Sequence, residues 1–442
     1  MSEQKMFTYR EAILDTLQKL IRVKSEKSAA LPGMPFGEGP AEALRVFLEE
    51  ASALGFRTGE SSGYAGWLEF GPLDKPMVGA VCHLDVVPAQ GWPRAYEPEL
   101  RDGLVIGRGS MDDKGPAVAV LYAMKSLLDE GVEPACRIRL ILGLDEESGS
   151  SCMAWYTEHE ELPLAAFTAD ADFPVINGEK GHWTFDLVWD EDTRPEQGFT
   201  LWSAHNGTRG NVIPGEAVLT YRLTDGSFEE IETIGKMGHA SMPQLAKNAI
   251  QYALADALAR TREADSSNRF LEQASQVLGT AFDGSGLGIA GSDEPSGELT
   301  LNVGIFDYND GQARFRIDIR YPVTWDIEDL RAKRDLALAG TGFSCENEGD
   351  SAPLFRPVED PLVQVLMEAY RKVSGRDDQP LRIGGGTYAR AVPNTLAFGP
   401  TFPEDENLCH QKGEYITEDT LLTASGIYRE ALLAMAEHYG KQ

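Results

Sequence analysis

The chain has 442 residues, of which 42% are hydrophobic, so it is long enough for two or three domains and is not a disordered, collagenous or coiled-coil protein. Seventy acidic and 40 basic residues give a formal charge of −30 at pH 7, which disfavours nucleic acid or an anionic membrane as a partner. The acidity is typical of a highly soluble protein and also fits a carboxylate-lined cation site.

The first 180 residues predict alternating helices and strands. Apolar side chains at helical spacing indicate helices at 9–24 and 115–130. Short apolar runs, which are typical of buried strands, occupy residues 77–87, 136–144 and 165–170. This order predicts an α/β domain with a mixed, mostly parallel sheet and flanking helices.

The pattern changes near residue 180. Strands are predicted within 181–224 and 299–321, with a hairpin turn at 309–311, and helices near 244–262 and 325–339. Mixed strands and helices of this kind indicate a separate α+β lobe.

From residue 354 onward the α/β character returns. Helices are predicted at 360–374 and 417–438, with a tight glycine loop at 384–386. We therefore predict that one domain, formed by residues 1–179 and 351–442, is interrupted by an α+β domain at 180–350.

The cysteines and the first ten residues indicate the cellular compartment in which the protein is expected. Five cysteines are widely spaced without a CxxC pair, which indicates neither a disulfide scaffold nor a thiolate zinc site. The segment MSEQKMFTYR lacks the apolar region of a signal peptide, and no run approaches the ~18 apolar residues of a membrane helix. We expect a cytoplasmic protein without a membrane partner.

Histidines and carboxylates follow several predicted strands and loops. The candidate metal ligands among them are His83, Asp112, Glu147, Asp170 and His410. Because the carboxyl ends of parallel strands share one edge of a sheet, these distant residues can meet. Imidazole and carboxylate without thiolate suit Zn²⁺, Mn²⁺ or Co²⁺, and a bridging carboxylate can hold two ions ~3.5–4 Å apart.

Each motif alone also fits an ordinary structural role. In the HxD motif at 83–85, Asp85 lies on the same side of a strand as His83 and can fix its tautomer, or the pair can be a satisfied core histidine. The acids at 112–113 precede a predicted helix, where carboxylates complement the helix dipole. The nearby glycines suggest a specially bent backbone.

The acidic run at 145–147 follows an apolar strand. Such a run can be a solvated loop, but three adjacent acids repel one another unless a cation lies among them. In the second case Glu147 can ligate a metal while Glu146 takes a proton from water.

Eight ordered segments together carry a family resemblance. The chain resembles the di-zinc peptidase family of acetylornithine deacetylase, succinyl-diaminopimelate desuccinylase and carboxypeptidase G, and within it the peptidase V type of bacterial dipeptidase, including its manganese-dependent relatives. The matching segments are VCHLDVVP (81–88), GRGSMDDKGP (107–116), LDEESGS (144–150), FTADADFPVINGEKG (167–181), GHASMPQLAKNA (238–249), DIRYP (318–322), GGGTYARAVPN (384–394) and HQKGEYI (410–416).

The resemblance implies a role for each candidate in the first domain, which would be catalytic. It implies two metal ions that share Asp112, the first held also by His83 and Asp170 and the second by Glu147 and His410. Asp85 would support His83, and Glu146 would be the general base and then the general acid. A cis peptide bond would follow the bridging aspartate, here between Asp112 and Asp113.

The resemblance makes the interrupting domain a lid. His239 in GHASMP would stabilise the oxyanion, with Asn211 in GNVIP a weaker candidate for the same region. Arg320 in DIRYP, with the backbone of Gly385 and Gly386, would bind the carboxylate of the substrate. Outside the family context, His239 fits a polar group at a helix start and Arg320 a surface strand residue.

The resulting hypothesis is a metallopeptidase that cleaves dipeptides with free ends, using two divalent metals, with Zn²⁺ favoured over Mn²⁺ or Co²⁺. The large lid resembles the type of family member that supplies the histidine from the same chain, and this resemblance favours a monomer over a homodimer. Three alternatives stay open: an N-acyl amino acid deacylase with the same site, a non-catalytic binding protein on this fold, and a carbohydrate-active enzyme that uses two free carboxylates.

Overall fold

The computed structural model describes residues 5–191 and 199–441, so residues 192–198 of the predicted strand range lie outside it, as do residues 1–4 and 442 of the first domain. The described residues form two compact units. The first contains the chain up to Asn177, Arg356–Leu381 and the residues from Gly386 onward; the second contains Gly178–Phe355 and Arg382–Gly385.

The segment Arg382–Gly385 was expected in the first domain but groups with the second unit. Two hydrogen bonds account for this grouping. The backbone N–H of Lys180 donates to the Ile383 carbonyl at 2.9 Å, and Nη1 of Arg320 donates to the Gly384 carbonyl at 3.0 Å.

The helices begin and end close to the predicted residues, and α2, α4 and α6 were not predicted. In the described residues the α-helices are Arg10–Ile21 (α1), Glu38–Ala53 (α2), Lys114–Asp129 (α3), Ser151–His159 (α4), Ala249–Glu263 (α5), Arg269–Leu278 (α6), Ile327–Leu338 (α7), Pro361–Ser374 (α8) and Glu418–Tyr439 (α9). Short 3₁₀ turns occupy Phe7–Tyr9, Pro243–Leu245 and Ser285–Leu287. No helix in these residues is both long and apolar enough to cross a bilayer.

The strands are shorter and more numerous than the sequence indicates. In chain order they are Arg57–Ser61 (β1), Ala65–Phe70 (β2), Met77–His83 (β3), Glu99–Arg101 (β4), Leu104–Ile106 (β5), Arg137–Gly143 (β6), Ala165–Thr168 (β7), Ala171–Asp172 (β8), Ile176–Glu179 (β9), Gly181–Trp189 (β10), Thr200–Asn206 (β11), Val212–Ile213 (β12), Glu216–Arg222 (β13), Phe228–Ile234 (β14), Gly238–His239 (β15), Ser292–Asp293 (β16), Gly297–Glu298 (β17), Thr300–Asn309 (β18), Gln312–Tyr321 (β19), Phe343–Ser351 (β20), Leu354–Phe355 (β21), Leu381–Ile383 (β22), Thr395–Ala397 (β23), Pro400–Thr401 (β24) and Tyr415–Thr417 (β25).

The main sheet of the first unit has the order β1-β2-β6-β3-β7-β23. The pairs β3–β6, β3–β7 and β7–β23 are parallel, whereas β1–β2 and β2–β6 are antiparallel. Every residue of β3 and β6 is buried, as expected for central strands with helices packed against them. Helices α3 and α9 contact β3 and β6, which confirms the predicted mixed, mostly parallel α/β fold.

Strand register brings the candidate residues to one edge of this sheet. His83 ends β3 and pairs with Gly143, the last residue of β6, so the acidic run at 145–147 begins beside it. On the other side of β3, Val81 pairs with Thr168, which ends β7 two residues before Asp170. The carboxyl ends of three adjacent parallel strands therefore place histidine and carboxylates together.

The second unit is an antiparallel sheet with helices, the predicted α+β lobe. Its strand order is β14-β13-β11-β18-β19-β10-β20. Its apolar core is formed by side chains of the sheet and of α5, α6 and α7. The predicted hairpin joins β18 to β19, where Asn309 pairs with Gln312 and the two turn residues, Asp310 and Gly311, have φ of 50° and 82°. Positive φ at both positions is what a two-residue hairpin turn requires.

Candidate metal centre

Asp112 lies in a buried loop, residues 107–113, that leads into α3. Gly109 in this loop has φ of 86°, a conformation that favours glycine, and the peptide bond between Asp112 and Asp113 is cis, as the family resemblance implies. The first residue of α3 is the fully buried Lys114, whose Nζ donates to the carbonyl oxygens of Leu20 and Val23 at 3.0 and 2.8 Å. The loop is therefore anchored to the end of α1.

The Asp112 carboxylate lies between two imidazoles. Its Oδ1 is 2.9 Å from Nε2 of His83, and its Oδ2 is 2.9 Å from Nε2 of His410. His83 is fully buried, whereas the His410 side chain is 54% exposed and its backbone has φ of 66°. Each oxygen of Asp112 thus faces a different histidine, the arrangement that a carboxylate shared by two cations requires.

Glu147 and Asp170 complete the group of predicted ligands. Oε2 of Glu147 is 3.1 Å from Nε2 of His410, and Oδ2 of Asp170 is 3.7 Å from Nε2 of His83. The structure therefore brings all five residues together within the first unit. Two sets with ligand atoms within 4.8 Å of one another are His83, Asp112 and Glu147, and His83, Glu146 and Asp170.

Asp85 orients both the imidazole and the acidic run. Nδ1 of His83 is 3.0 Å from the backbone oxygen of Asp85 and 3.4 Å from its Oδ1. The Asp85 carboxylate also accepts the backbone N–H groups of Glu146 and Glu147 at 3.1 and 3.2 Å. When His83 is neutral, donation from Nδ1 to Asp85 leaves the lone pair of Nε2 for a metal.

The carboxylates of the cluster oppose one another's ionisation. Burial, followed by the charges of Asp112 and Glu147, raises the pKa of Asp170 to about 7. Burial and the charge of Asp170 also raise the pKa of Glu146 well above its ordinary value. Without a cation, these carboxylates keep their protons at pH values at which exposed carboxylates are ionised.

The two imidazoles act as substitute cations in the cluster. Hydrogen bonds to Asp112 and Glu147 raise the pKa of His410 to about 10. Burial opposes a charge on His83, but its hydrogen bonds to Asp112 and Asp85 raise its pKa well above the usual value. Burial alone would raise the pKa of Asp112, yet hydrogen bonds from both histidines hold it below its usual range.

The donor set fits a pair of divalent cations. It offers imidazole nitrogen and carboxylate oxygen around a carboxylate with two differently directed oxygens. The neighbouring thiols of Cys82 and Cys409 are poor ligands, because burial raises the pKa of both. Zn²⁺, Mn²⁺ and Co²⁺ match this chemistry.

His239 and Asn211 are neighbours in the second unit. Strands β12 and β15 pair Val212 with His239, and the N–H of Ala240 donates to the Asn211 carbonyl at 3.0 Å. Nδ1 of His239 accepts the N–H of Ser241 at 3.2 Å and lies 2.7 Å from its Oγ. A neutral His239 therefore carries its proton on Nε2, where it can act as a hydrogen-bond donor.

A buried amide pair holds the loop that contains Asn211. Nδ2 of Asn302 donates to the carbonyl oxygens of Gly210 and Val212 at 2.8 and 2.9 Å. Its Oδ1 accepts a hydrogen bond from Nδ2 of Asn248 at 2.8 Å, and Asn248 also caps the start of α5. The loop path is thereby fixed through backbone carbonyls.

Arg320 lies on β19 in the second unit, with most of its side chain buried. Its Nε and Nη2 donate to the two carboxylate oxygens of Asp318 at 2.7 and 3.1 Å, and Nη1 donates to the Gly384 carbonyl. Nε2 of His182 is 2.9 Å from Oδ2 of Asp318. The buried setting excludes the alternative that Arg320 is an ordinary surface strand residue.

The last two predicted residues, Gly385 and Gly386, fall in different units: Gly385 in the second and Gly386 in the first. A Cβ added to Gly386 would lie 3.3 Å from the Arg390 guanidinium. Asp318 is not among the predicted residues, although its position two residues before Arg320 on a strand places both on one face. Glu414, in the segment HQKGEYI, is not among them either.

Comparison with known proteins agrees with this geometry. Residues 80–434 match the family described as "Peptidase family M20/M25/M40". The chain is 35% identical to a Staphylococcus haemolyticus protein named "Putative dipeptidase", over 98% of this chain and 99% of that protein. It is also 35% identical, with the same coverage, to the Bacillus subtilis protein named "Putative dipeptidase YtjP".

A solved structure shares the fold. The crystal structure of aminopeptidase PepT from Bacillus cereus superposes with a TM-score of 0.60 at 15% identity, covering 97% of this chain and 99% of that one. The chain is a member of a metallopeptidase class of hydrolases. It belongs to peptidase family M20/M25/M40, whose members are metal-dependent.

The metal-free protein should lose stability at high pH because of Asp170. A pKa raised to about 7 means that the folded protein keeps a proton which the unfolded chain has released above about pH 4, so this contribution to stability falls as pH rises from about 4 through 7. After chelation, Asp170→Asn should be more stable than the wild type, by a smaller margin at pH 5 than at pH 8.5, where the margin is about 4 kcal/mol at most.

Urea unfolding at both pH values measures this difference. With divalent metal restored the order should reverse, because the metal stabilises the folded state that keeps its full ligand set. An equal difference between the two chelated proteins at pH 5 and pH 8.5 would contradict the charged cluster.

Proposed function

We propose that this protein is a dipeptidase that hydrolyses dipeptides with free amino and carboxyl ends, using two divalent metals. The observation that carries the proposal is the Asp112 carboxylate, whose two oxygens face His83 and His410, while Glu146 lies with His83 and Asp170. The dipeptidase names of the 35% identical relatives support the choice of substrate.

We assign the first metal to His83, Asp112 and Asp170, and the second to Asp112, Glu147 and His410. Zn²⁺ is favoured, and Mn²⁺ and Co²⁺ suit the same ligands. When bound, such a pair polarises a carbonyl oxygen and lowers the pKa of water towards neutrality.

Glu146 is the proton carrier in this proposal. Asp85 holds its backbone N–H, and its carboxylate lies with the ligand atoms of His83 and Asp170, where it is within reach of a water bound at the site. Its carboxylate takes a proton from the attacking water and then gives that proton to the departing amine nitrogen. One residue thus acts first as base and then as acid.

The second unit supplies two further groups. We assign to His239 the stabilisation of the oxyanion, since its Nε2–H is a donor when Nδ1 accepts from Ser241. Asn211 is the neighbouring candidate for the same role. Arg320 is assigned to the substrate carboxylate, with Gly385 and Gly386 as backbone contacts. Asp318 and the Gly384 carbonyl accept three of the five N–H groups of its guanidinium, which leaves one N–H on Nη1 and one on Nη2.

The proposal includes a cytoplasmic location and a monomer. All five cysteines lie in the described residues and none forms a disulfide, as in proteins of a reducing compartment. A monomer is proposed on the size of the second unit.

A substrate panel tests the assigned reaction. The protein, first stripped of metal and then supplied with Zn²⁺, Mn²⁺ or Co²⁺, should cleave free dipeptides only after metal is restored. N-acetyl dipeptides and N-acetyl amino acids should be much poorer substrates, because no free amine is present. Preferential cleavage of the N-acetyl compounds would make the protein a deacylase instead.

Glu146→Gln should retain both metals and lower kcat by about 10²–10⁴-fold, because the amide cannot carry the proton. Metal content by plasma mass spectrometry and steady-state kinetics measure the two effects. Glu147→Gln is the matched control, since the loss of a ligand should lower metal content as well. Retention of most of the activity in Glu146→Gln would refute the assigned base.

Arg320→Lys should raise KM for free dipeptides by about tenfold or more and leave C-terminally amidated dipeptides little changed, because an ammonium cannot make the paired contact with a carboxylate. Arg314→Lys on the same strand, whose guanidinium pairs with Asp186 and Glu346, is the control and should alter neither. Equal effects of Arg320→Lys on both substrates would argue against carboxylate recognition.

A further inference from the structure

Glu414 is a fully buried carboxylate that the proposed reaction does not use. It lies four residues after His410 and immediately before β25, in the first unit. Its side chain points to the loop at 107–113, which supplies Asp112. A buried carboxylate needs hydrogen-bond donors, and here they come almost entirely from that loop.

The contacts of Glu414 are mainly with backbone. Its Oε1 accepts the N–H groups of Gly109, Met111 and Asp112 at 3.0, 3.0 and 3.2 Å. Its Oε2 accepts from Nη1 of Arg108 at 2.5 Å, and its own carbonyl accepts the N–H of Gly107 at 3.0 Å. The loop makes no helix or strand here, so one side chain satisfies N–H groups that would otherwise be buried without partners.

The same contacts join two loops that are far apart in sequence. Strand β25 pairs with β5, which ends at Ile106 just before the loop, so backbone pairing continues into the Glu414 contacts. The Glu414 contacts therefore link the loop that carries Asp112 to the segment that carries His410. Their spacing decides where Oδ2 of Asp112 meets Nε2 of His410, now 2.9 Å apart.

We propose that Glu414 is a positioning residue that sets Asp112 relative to His410 and thereby determines the affinity of the second metal position. The inference rests on the proposed metal pair. Glu414 touches the backbone of a ligand and not the metal or the substrate. Residues that orient ligands in this way typically contribute 10–100-fold to metal affinity.

The test is metal binding by the chelated full-length protein, followed without substrate. In Glu414→Gln the amide keeps its size but places N–H donors against either the backbone N–H groups or Arg108. Calorimetric titration with Mn²⁺ should show one site close to wild type and a second weakened by about 10–100-fold. Electron paramagnetic resonance should show the signal of a coupled Mn²⁺ pair only at higher Mn²⁺, and excess Mn²⁺ should restore turnover.

Arg108→Gln is the matched control. It removes the ion pair to Oε2 but leaves the three backbone N–H groups on Oε1, so both metals should bind with near wild-type affinity. If Glu414→Gln does not fold, Glu414→Asp replaces it with the same criteria, because the shorter side chain keeps its charge but withdraws from the N–H groups.

Two results would overturn the inference. One is wild-type affinity for both metals in the Glu414 variant; the other is an equal loss in Arg108→Gln, which would indicate a general role in folding. A wild-type protein that binds fewer than two Mn²⁺ ions would refute the proposed metal pair itself, whatever the variants do.

Discussion

The fold of the first unit brings four negatively charged side chains close together. Asp112, Glu146, Glu147 and Asp170 lie at one edge of a buried sheet, and the imidazoles of His83 and His410 offset their repulsion. Burial strengthens that repulsion, so the arrangement is stable when cations or protons are present. The raised pKa of Asp170 and the shared contacts of Asp112 both follow from this single constraint.

Much of the fold follows from local sequence pattern. Apolar runs such as Met77–His83 and Arg137–Gly143 are central strands, and long helices such as Glu418–Tyr439 have a clear apolar periodicity and a threonine cap. The segments that escaped prediction depend on tertiary contacts. The helix Glu38–Ala53 begins after a glycine with φ of 93° and no side-chain cap, and Arg382–Gly385 belongs with the second unit because of two hydrogen bonds to residues distant in sequence.

The candidate site also has residues that the sequence predicts and residues that only tertiary contacts identify. Its candidate ligands could be predicted because eight ordered segments together resemble a known family, and the structure brings all five residues together. The residues that hold them in place could not. Glu414 accepts backbone N–H groups of a distant loop, and its position in the sequence does not distinguish it from an ordinary acidic residue. Asp318 contacts Arg320, and their spacing on a strand indicates a shared face but not the hydrogen bonds. A supporting role of this kind becomes visible only when contacts between distant segments are known.

The hydrogen-bonded amides of Asn248 and Asn302 affect which substitutions the loop at 210–212 can accept. Nδ2 of Asn302 donates to two backbone carbonyl oxygens of the loop at 210–212, and every amino acid has such a carbonyl. The course of that loop is therefore independent of the side chain at position 211, which is exposed. Substitution of the residue at that position should therefore leave the path of the main chain unchanged.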